Sequence, residues 1–208
     1  MVAIIDYDAG NIKSVEKAVQ SLGHETAITR DPEVILNAEH VILPGVGSFG
    51  DAMEKLEKYS LVDVVKKAAL SGTPFLGICL GEQLLFEESE ETPGVKGLGL
   101  LKGRVLKFDT DKGLKIPQIG WNSISLENNG RLFKDIPDGS YVYFVHSYYV
   151  KAEEDGVVKA KAQYANEVHA SVEKGNLFAC QFHPEKSGKV GLKILNNFLS
   201  LEKEEGTC

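Results

Sequence analysis

The sequence predicts an α/β fold: a mostly parallel central sheet with helices on both faces, extended by antiparallel strands in the C-terminal half. Three observations predict it. Short apolar runs alternate with helix-period segments from residue 1 to about residue 90, the rhythm of βα units around a parallel sheet. Beyond residue 95, strand-like segments follow one another with little helix between them. The stretch TPFLGICLGEQLLFEE, residues 73–88, reads as a buried strand passing through one tight turn into a helix.

Residues 1–6 form a buried strand, and Ala9-Gly10-Asn11 a turn. From Asn11 to Leu22 the apolar positions Ile12, Val15, Ala18, Val19 and Leu22 recur at helical spacing, and Gly23 marks the stop. A strand follows over 25–29, a short helix over 32–36 and a third strand over 40–43, with Pro44-Gly45-Val46-Gly47 directly after it. Residues 49–59 and 61–71 are helical, then come the strand 73–78 and a helix 80–88. Strands are expected at 98–108, 119–126, 141–150, 157–164 and 168–182. The turn signals between them are Asp111-Lys112-Gly113, Asn128-Asn129-Gly130, Asp138-Gly139 and Lys174-Gly175-Asn176. A helix over 189–201 closes the fold, before a charged tail that ends in Cys208 and is expected to fray.

At 208 residues, residues 1–208 are expected to form a single domain with a substantial core. A hydrophobic content of 43% and a charged content of 25% suit an ordinary soluble protein. A net charge of −7 argues against nucleic acid or an anionic membrane as partner. No apolar run approaches the roughly 20 residues that span a bilayer, and the N-terminus has no secretory leader. Cys79, Cys180 and Cys208 make neither a disulfide framework nor a zinc spacing, so a cytoplasmic setting is expected, with no metal and no organic cofactor.

The chemistry centres on Cys79. Gly77 and Gly81 flank it as G-x-C-x-G, the logic of the nucleophile elbow with sulfur in place of oxygen. Bulky side chains there would collide with neighbouring backbone. The sulfur would project from the sheet edge at a helix N-terminus, where free N–H groups favour a thiolate and an oxyanion. A free cysteine is more often a small core residue, so the reading depends on finding a base. Of five histidines, His24 and His40 show no partner pattern and His169 opens a strand. His183 ends a strand and precedes Pro184-Glu185. Proline keeps its backbone extended, and a carboxylate two residues on can orient the imidazole. Cys79, His183 and Glu185 are thus candidate nucleophile, base and orienter.

GICLGEQLL (77–85) and FHPEKSG (182–188) resemble the nucleophile and histidine–glutamate segments of the class I (triad) glutamine amidotransferases. IIDYDAGNIKSV (4–15), PGVGSFGDAM (44–53), KIPQIGWNSI (115–124) and YFVHSYYV (143–150) narrow this to the glutaminase subunits of imidazole glycerol phosphate synthases, over nearly the whole chain. The resemblance implies that Cys79 attacks the carboxamide of glutamine, with His183 assisting and Glu185 positioning it. It implies an oxyanion hole from Leu80 and the Val46–Gly47 backbone, in a loop that rearranges when the partner is loaded. Gly45, Gln83, Glu91, His146, Ser147 and Tyr148 then match substrate-binding positions. Trp121, Tyr143 and Lys186 match positions facing a cyclase subunit, a (βα)8 barrel, which uses the ammonia to make imidazole glycerol phosphate and AICAR. Glu87, Glu88 and Glu90 read as a solvated helix end.

Two residues depart from the pattern: Glu82, where relatives often carry methionine, and Gln118, where they often carry histidine. Three other readings compete. The glutaminase subunits of anthranilate and aminodeoxychorismate synthases carry different loops. A cysteine hydrolase or redox sensor has no need of His183-Pro184-Glu185. A non-enzymatic binding module would be indifferent to loss of the Cys79 thiol.

Overall fold

The computed structural model describes residues 1–111 and 113–204; Lys112, in the middle of one expected turn, and Cys208 lie outside the described residues. The N-terminal half runs β1 (Val2–Ile5), α1 (Ile12–Ser21), β2 (Thr26–Thr29), α2 (Pro32–Leu36), β3 (His40–Leu43), α3 (Phe49–Lys58), α4 (Val62–Leu70), β4 (Phe75–Ile78) and α5 (Leu80–Leu84). Then come β5 (Glu88–Ser89), β6 (Gly103–Lys107), β7 (Gln118–Ser123), β8 (Ser125–Leu126), β9 (Tyr141–His146) and β10 (Tyr148–Ala152). The chain ends with β11 (Val158–Gln163), β12 (Glu167–Lys174), β13 (Leu177–Cys180) and α6 (Gly188–Leu199).

The eight-stranded main sheet has the order β2-β1-β3-β4-β13-β12-β11-β8. The first five are mutually parallel; β12, β11 and β8 add antiparallel strands at one edge. β1, β3, β4 and β13 are buried at every residue, as continuous apolar runs in a doubly covered sheet should be. The alternation of side chains divides the core between the two faces. Val2, Ile4, Ile42, Leu76 and Phe178 pack with residues of α1 and α6. Ala3, Ile5, Val41, Phe75 and Leu177 pack with residues of α3, α4 and α5. α2 and α3 start where Asp31 and Ser48 accept hydrogen bonds from the Glu33 and Asp51 amides, ordinary N-cap chemistry.

Six expectations are corrected. The helix expected over 80–88 stops at Leu84, because the loop 98–101 takes its last carbonyls: the Leu98 amide donates to Leu84, and those of Leu100 and Leu101 to Leu85. Residues 98–101 are therefore no part of a strand. The acidic stretch is not a helix end either; Glu87 and Glu90 accept from the Gly103 and Lys107 amides. The segments expected at 119–126 and 141–150 each divide into two strands. Not every later strand extends the main sheet: β10-β6-β5 and β7-β9 form separate small sheets. The segment 168–182 is a hairpin turning at Gly175, whose second arm, β13, runs parallel to β4.

Candidate active site

Cys79 sits between β4 and α5 at φ 55° and ψ −108°, a left-handed backbone that a non-glycine residue rarely adopts. Its neighbours must be glycine. A Cβ on Gly77 would lie 2.7 Å from the Gly81 carbonyl oxygen, and one on Gly81 would overlap the Leu43 carbonyl. The elbow thus aims the sulfur away from the sheet end while Leu80 begins α5. The first amides of a helix have no intrahelical partner, so the Leu80 N–H is available at the sulfur's own position in the chain.

The adjacent strand brings the imidazole. Cys180 pairs with Ile78 in parallel register, and the Cys79 amide donates to the Cys180 carbonyl at 2.8 Å. His183 follows three residues later, pinned by its own amide to the Tyr143 carbonyl (2.9 Å), while its carbonyl accepts from Ser187 Oγ (2.6 Å). Pro184 opens a 3-10 turn over 184–186, which swings Glu185 back so that Oε1 lies 2.8 Å from His183 Nδ1. Both side chains are fully buried. Burial alone would push His183 down, but the Cys79 sulfur and the Glu185 carboxylate outweigh it and hold the imidazole up at about 9. His183 Nε2 has no hydrogen-bond partner among the described residues. The Cys79 thiol is oriented instead toward the Val145 carbonyl at 3.9 Å.

Val46, Gly47, Cys79, Leu80, Gln83, Glu91, His146, Ser147 and Tyr148 line one cavity of about 260 Å³, with Pro117 and Val145 completing it. Sequence reasoning singled out neither of those two. Gly45 lies behind the cavity wall. A Cβ there would meet Tyr7 Oη at 2.5 Å and Leu80 Cβ at 2.8 Å, so this glycine serves close packing. Gly47, at φ 111° with open space around it, carries the loop's freedom. Tyr7 Oη donates to the Pro44 carbonyl at 2.7 Å and anchors the loop's base; burial and the nearby Cys79 raise its phenol.

Gln83 faces inward as a scaffold, donating to the Tyr148 carbonyl (3.1 Å) and to Gln181 Oε1 (2.9 Å). Gln181 in turn points Nε2 at Cys79 Sγ from 3.6 Å. Sequence reasoning missed Gln181, although its position two residues before His183, directly after β13, was a signal. His146 is locked between the Tyr148 carbonyl, 2.8 Å from Nδ1, and the Gln118 carboxamide, 3.1 Å from Nε2. Burial lowers His146 to about 4, so it is neutral at pH 7. Gln118 is therefore a buried partner of His146. Glu91 Oε2 accepts from the Phe49 amide at 2.7 Å, tying the segment after α5 to the start of α3. Glu82 does not reach the cavity rim. It is fully buried with neither carboxylate oxygen partnered, and burial together with nearby Cys79 raises its carboxyl well above the usual range.

Trp121, Tyr143 and Lys186 lie outside this cavity. Trp121 and Tyr143 are cross-strand neighbours on the β7-β9 ribbon with ring centroids 6.1 Å apart, and Lys186 is exposed. A larger depression, about 590 Å³ between residues 129–135 and the end of α6, contains none of the residues above. Among the described residues no His, Cys, Asp or Glu cluster could hold a metal ion. The geometry is that of acyl transfer: a sulfur nucleophile, a carboxylate-bound imidazole on the next strand and backbone amides at a helix start.

The sequence profile of the family described as "Glutamine amidotransferase class-I" matches residues 3–201. The chain belongs to the class I glutamine amidotransferases. It is 50% identical to the imidazole glycerol phosphate synthase subunit HisH of Methanocaldococcus jannaschii, over 97% of this chain and 100% of that one. With the subunit of the same name from Bacillus cereus (strain G9842) it shares 51% over 95% and 93% of the two chains. A solved structure titled "Crystal structure of glutamine amidotransferase" superposes with a TM-score of 0.74 at 21% identity, covering 96% of this chain and 97% of that one. The main sheet, its helices and the elbow are thus an amidotransferase fold.

Proposed function

We propose that residues 1–208 act as a single domain, the glutaminase subunit of an imidazole glycerol phosphate synthase, hydrolysing glutamine at Cys79. The observation that carries this is the placement of His183 and Glu185 at the end of β13, the strand paired with the elbow strand β4. In this reading His183 Nε2 takes the Cys79 thiol proton as the sulfur attacks the side-chain carboxamide carbon. The oxygen gathers negative charge and accepts from the Leu80 amide and from the Val46–Gly47 backbone. His183 Nε2 delivers a proton to the departing nitrogen, the C–N bond breaks, and ammonia leaves a glutamyl thioester. Water, giving up a proton to His183, then releases glutamate and restores the thiol. Gln83, Glu91 and the His146–Tyr148 strand shape the cavity that holds the glutamine.

The ammonia is passed to a cyclase subunit, a (βα)8 barrel, in a heterodimer that forms imidazole glycerol phosphate and AICAR in histidine biosynthesis. Support for the docking face comes from the large exposed side chains Ile119, Trp121 and Tyr141 on the β7-β9 ribbon; the end of β9, at Val145 and His146, and Pro117, just before β7, also line the cavity. Aromatic anchors of this kind are enriched in interfaces. A cytoplasmic setting is supported by the free thiols of Cys79 and Cys180. Among the described residues no helix is long and apolar enough to cross a membrane.

The test is glutamate release from glutamine by the chain alone, then with a cyclase barrel subunit and its ribonucleotide ligand, with Cys79→Ala as control. Stimulation by the loaded partner that vanishes in Cys79→Ala is expected. Turnover that needs Cys79 but ignores this partner would move the glutaminase to another synthase. No Cys79-dependent release under any condition would refute the reading.

A further inference from the structure

Asn11 stands at the N-cap of α1, where an asparagine side chain ordinarily accepts from the helix's own second or third amide. Here the side chain makes no capping hydrogen bond. Its Nδ2 donates instead to Glu185 Oε1 at 3.1 Å, joining residues 174 positions apart. That oxygen is the one facing His183 Nδ1 at 2.8 Å. We propose that Asn11 is a positioning residue, holding the Glu185 carboxylate, and through it His183, in register with Cys79. This rests on the glutaminase reading above.

A carboxylate on a flexible side chain turns readily about its last torsion, which is broad. Glu185 Oε2 has no partner among the described residues, so His183 alone would leave the carboxylate free to swing and exchange its oxygens. A second donor on Oε1 removes that freedom. The amide orientation is dictated by chemistry: reversing it would set Asn11 Oδ1 against a carboxylate oxygen, acceptor against acceptor. Asn11 is itself well mounted. It is only 7% exposed, and its carbonyl accepts from the Ser14 and Val15 amides at the head of α1, whose Ile12, Val15 and Val19 are locked in the core. The titratable groups around the contact are Glu185, His183 and, beyond them, Cys79, Cys180 and His146.

The test uses the full chain, alone and with the barrel subunit, comparing wild type, Asn11→Ala and Asn11→Asp for kcat and KM of glutamate release across pH. Asn11→Ala should lower kcat roughly ten- to a hundredfold, the usual cost of losing a group that orients a functional ligand, with KM little changed. Asn11→Asp has the same shape and caps helices well, but it is an acceptor when ionised. It should be as poor as the alanine variant at neutral pH and regain activity relative to wild type as pH falls toward about 4, where a protonated Asp can donate to Oε1. A role in packing or capping alone predicts that Asn11→Asp follows wild type at every pH, and that result overturns the proposal. So does wild-type kcat in Asn11→Ala. Should the alanine variant unfold, the aspartate variant decides. Absence of Cys79-dependent release in the wild type would instead overturn the glutaminase reading, and this proposal with it.

Discussion

Gln181 Nε2 lies 3.6 Å from Cys79 Sγ, while Gln181 Oε1 accepts from Gln83 at 2.9 Å. The sulfur is thus approached by an amide whose own direction is set by a second amide. An N–H aimed at sulfur favours the charged form of the thiol. Hydrogen bonds to charged groups contribute roughly 1.5–3 kcal/mol. Gln181→Leu should therefore slow alkylation of Cys79 by iodoacetamide at neutral pH about tenfold or more, read by peptide mass mapping. An unchanged rate would show that the contact does not act on the thiolate.

Cys79 and Glu185 together hold the charge on His183, and stability should report it. The folded imidazole is held at about 9 against an ordinary 6.5. A raised histidine contributes stability that is fully present below about 6.5 and lost as pH rises through about 9. Glu185→Gln should remove the carboxylate's share of that contribution and leave the share that comes from Cys79. The difference in urea midpoint between wild type and Glu185→Gln is expected to be large at pH 6 and to shrink toward pH 9.5. A constant difference would mean that the pair is held by packing and not by charge.

Glu82 should destabilise the protein at neutral pH. Its carboxyl is raised above the ordinary 4.5 by burial and by Cys79, so folding favours the protonated form. Relative to a residue that does not titrate, its cost is least below about pH 4.5 and grows as pH rises toward the folded value. Glu82→Met removes two unpartnered buried oxygens, each group of that kind costing roughly 1–3 kcal/mol. Thermal melts should show the methionine variant more stable, with a gain larger at pH 8 than at pH 4.5. A gain independent of pH would point to packing alone.

Trp121 is the only tryptophan in the chain and is 55% exposed, so its emission reports docking directly. Titration with the barrel subunit should shift that emission to the blue. Trp121→Ala should weaken association by about 2 kcal/mol or more, the size expected of an interface anchor, without altering the melting temperature of the chain alone. Unchanged affinity would remove the β7-β9 ribbon from the docking face.

The parallel half of the fold was legible because its signals are local. Strands buried on both faces read as continuous apolar runs, and helices such as α1 show their period. The elbow was legible in part for the same reason: Gly77 answers to the Gly81 backbone four residues on, whereas Gly81 answers to the Leu43 carbonyl on β3. Less legible was the second half, where residues 98–101 look like strand but serve to close the end of α5, and where one apolar stretch, 141–150, supplies strands to two sheets.

By itself, the sequence determined the nucleophile, the His-Pro-Glu corner and the parallel architecture, since each depends on residues close together in the chain. Only the tertiary structure decided that β13 lies beside β4, which sets His183 next to Cys79 across more than a hundred residues. It alone brought Asn11 to Glu185 and Gln181 to the sulfur, and buried Glu82. Those contacts depend on which strands pair and which faces meet, and no local spacing encodes them.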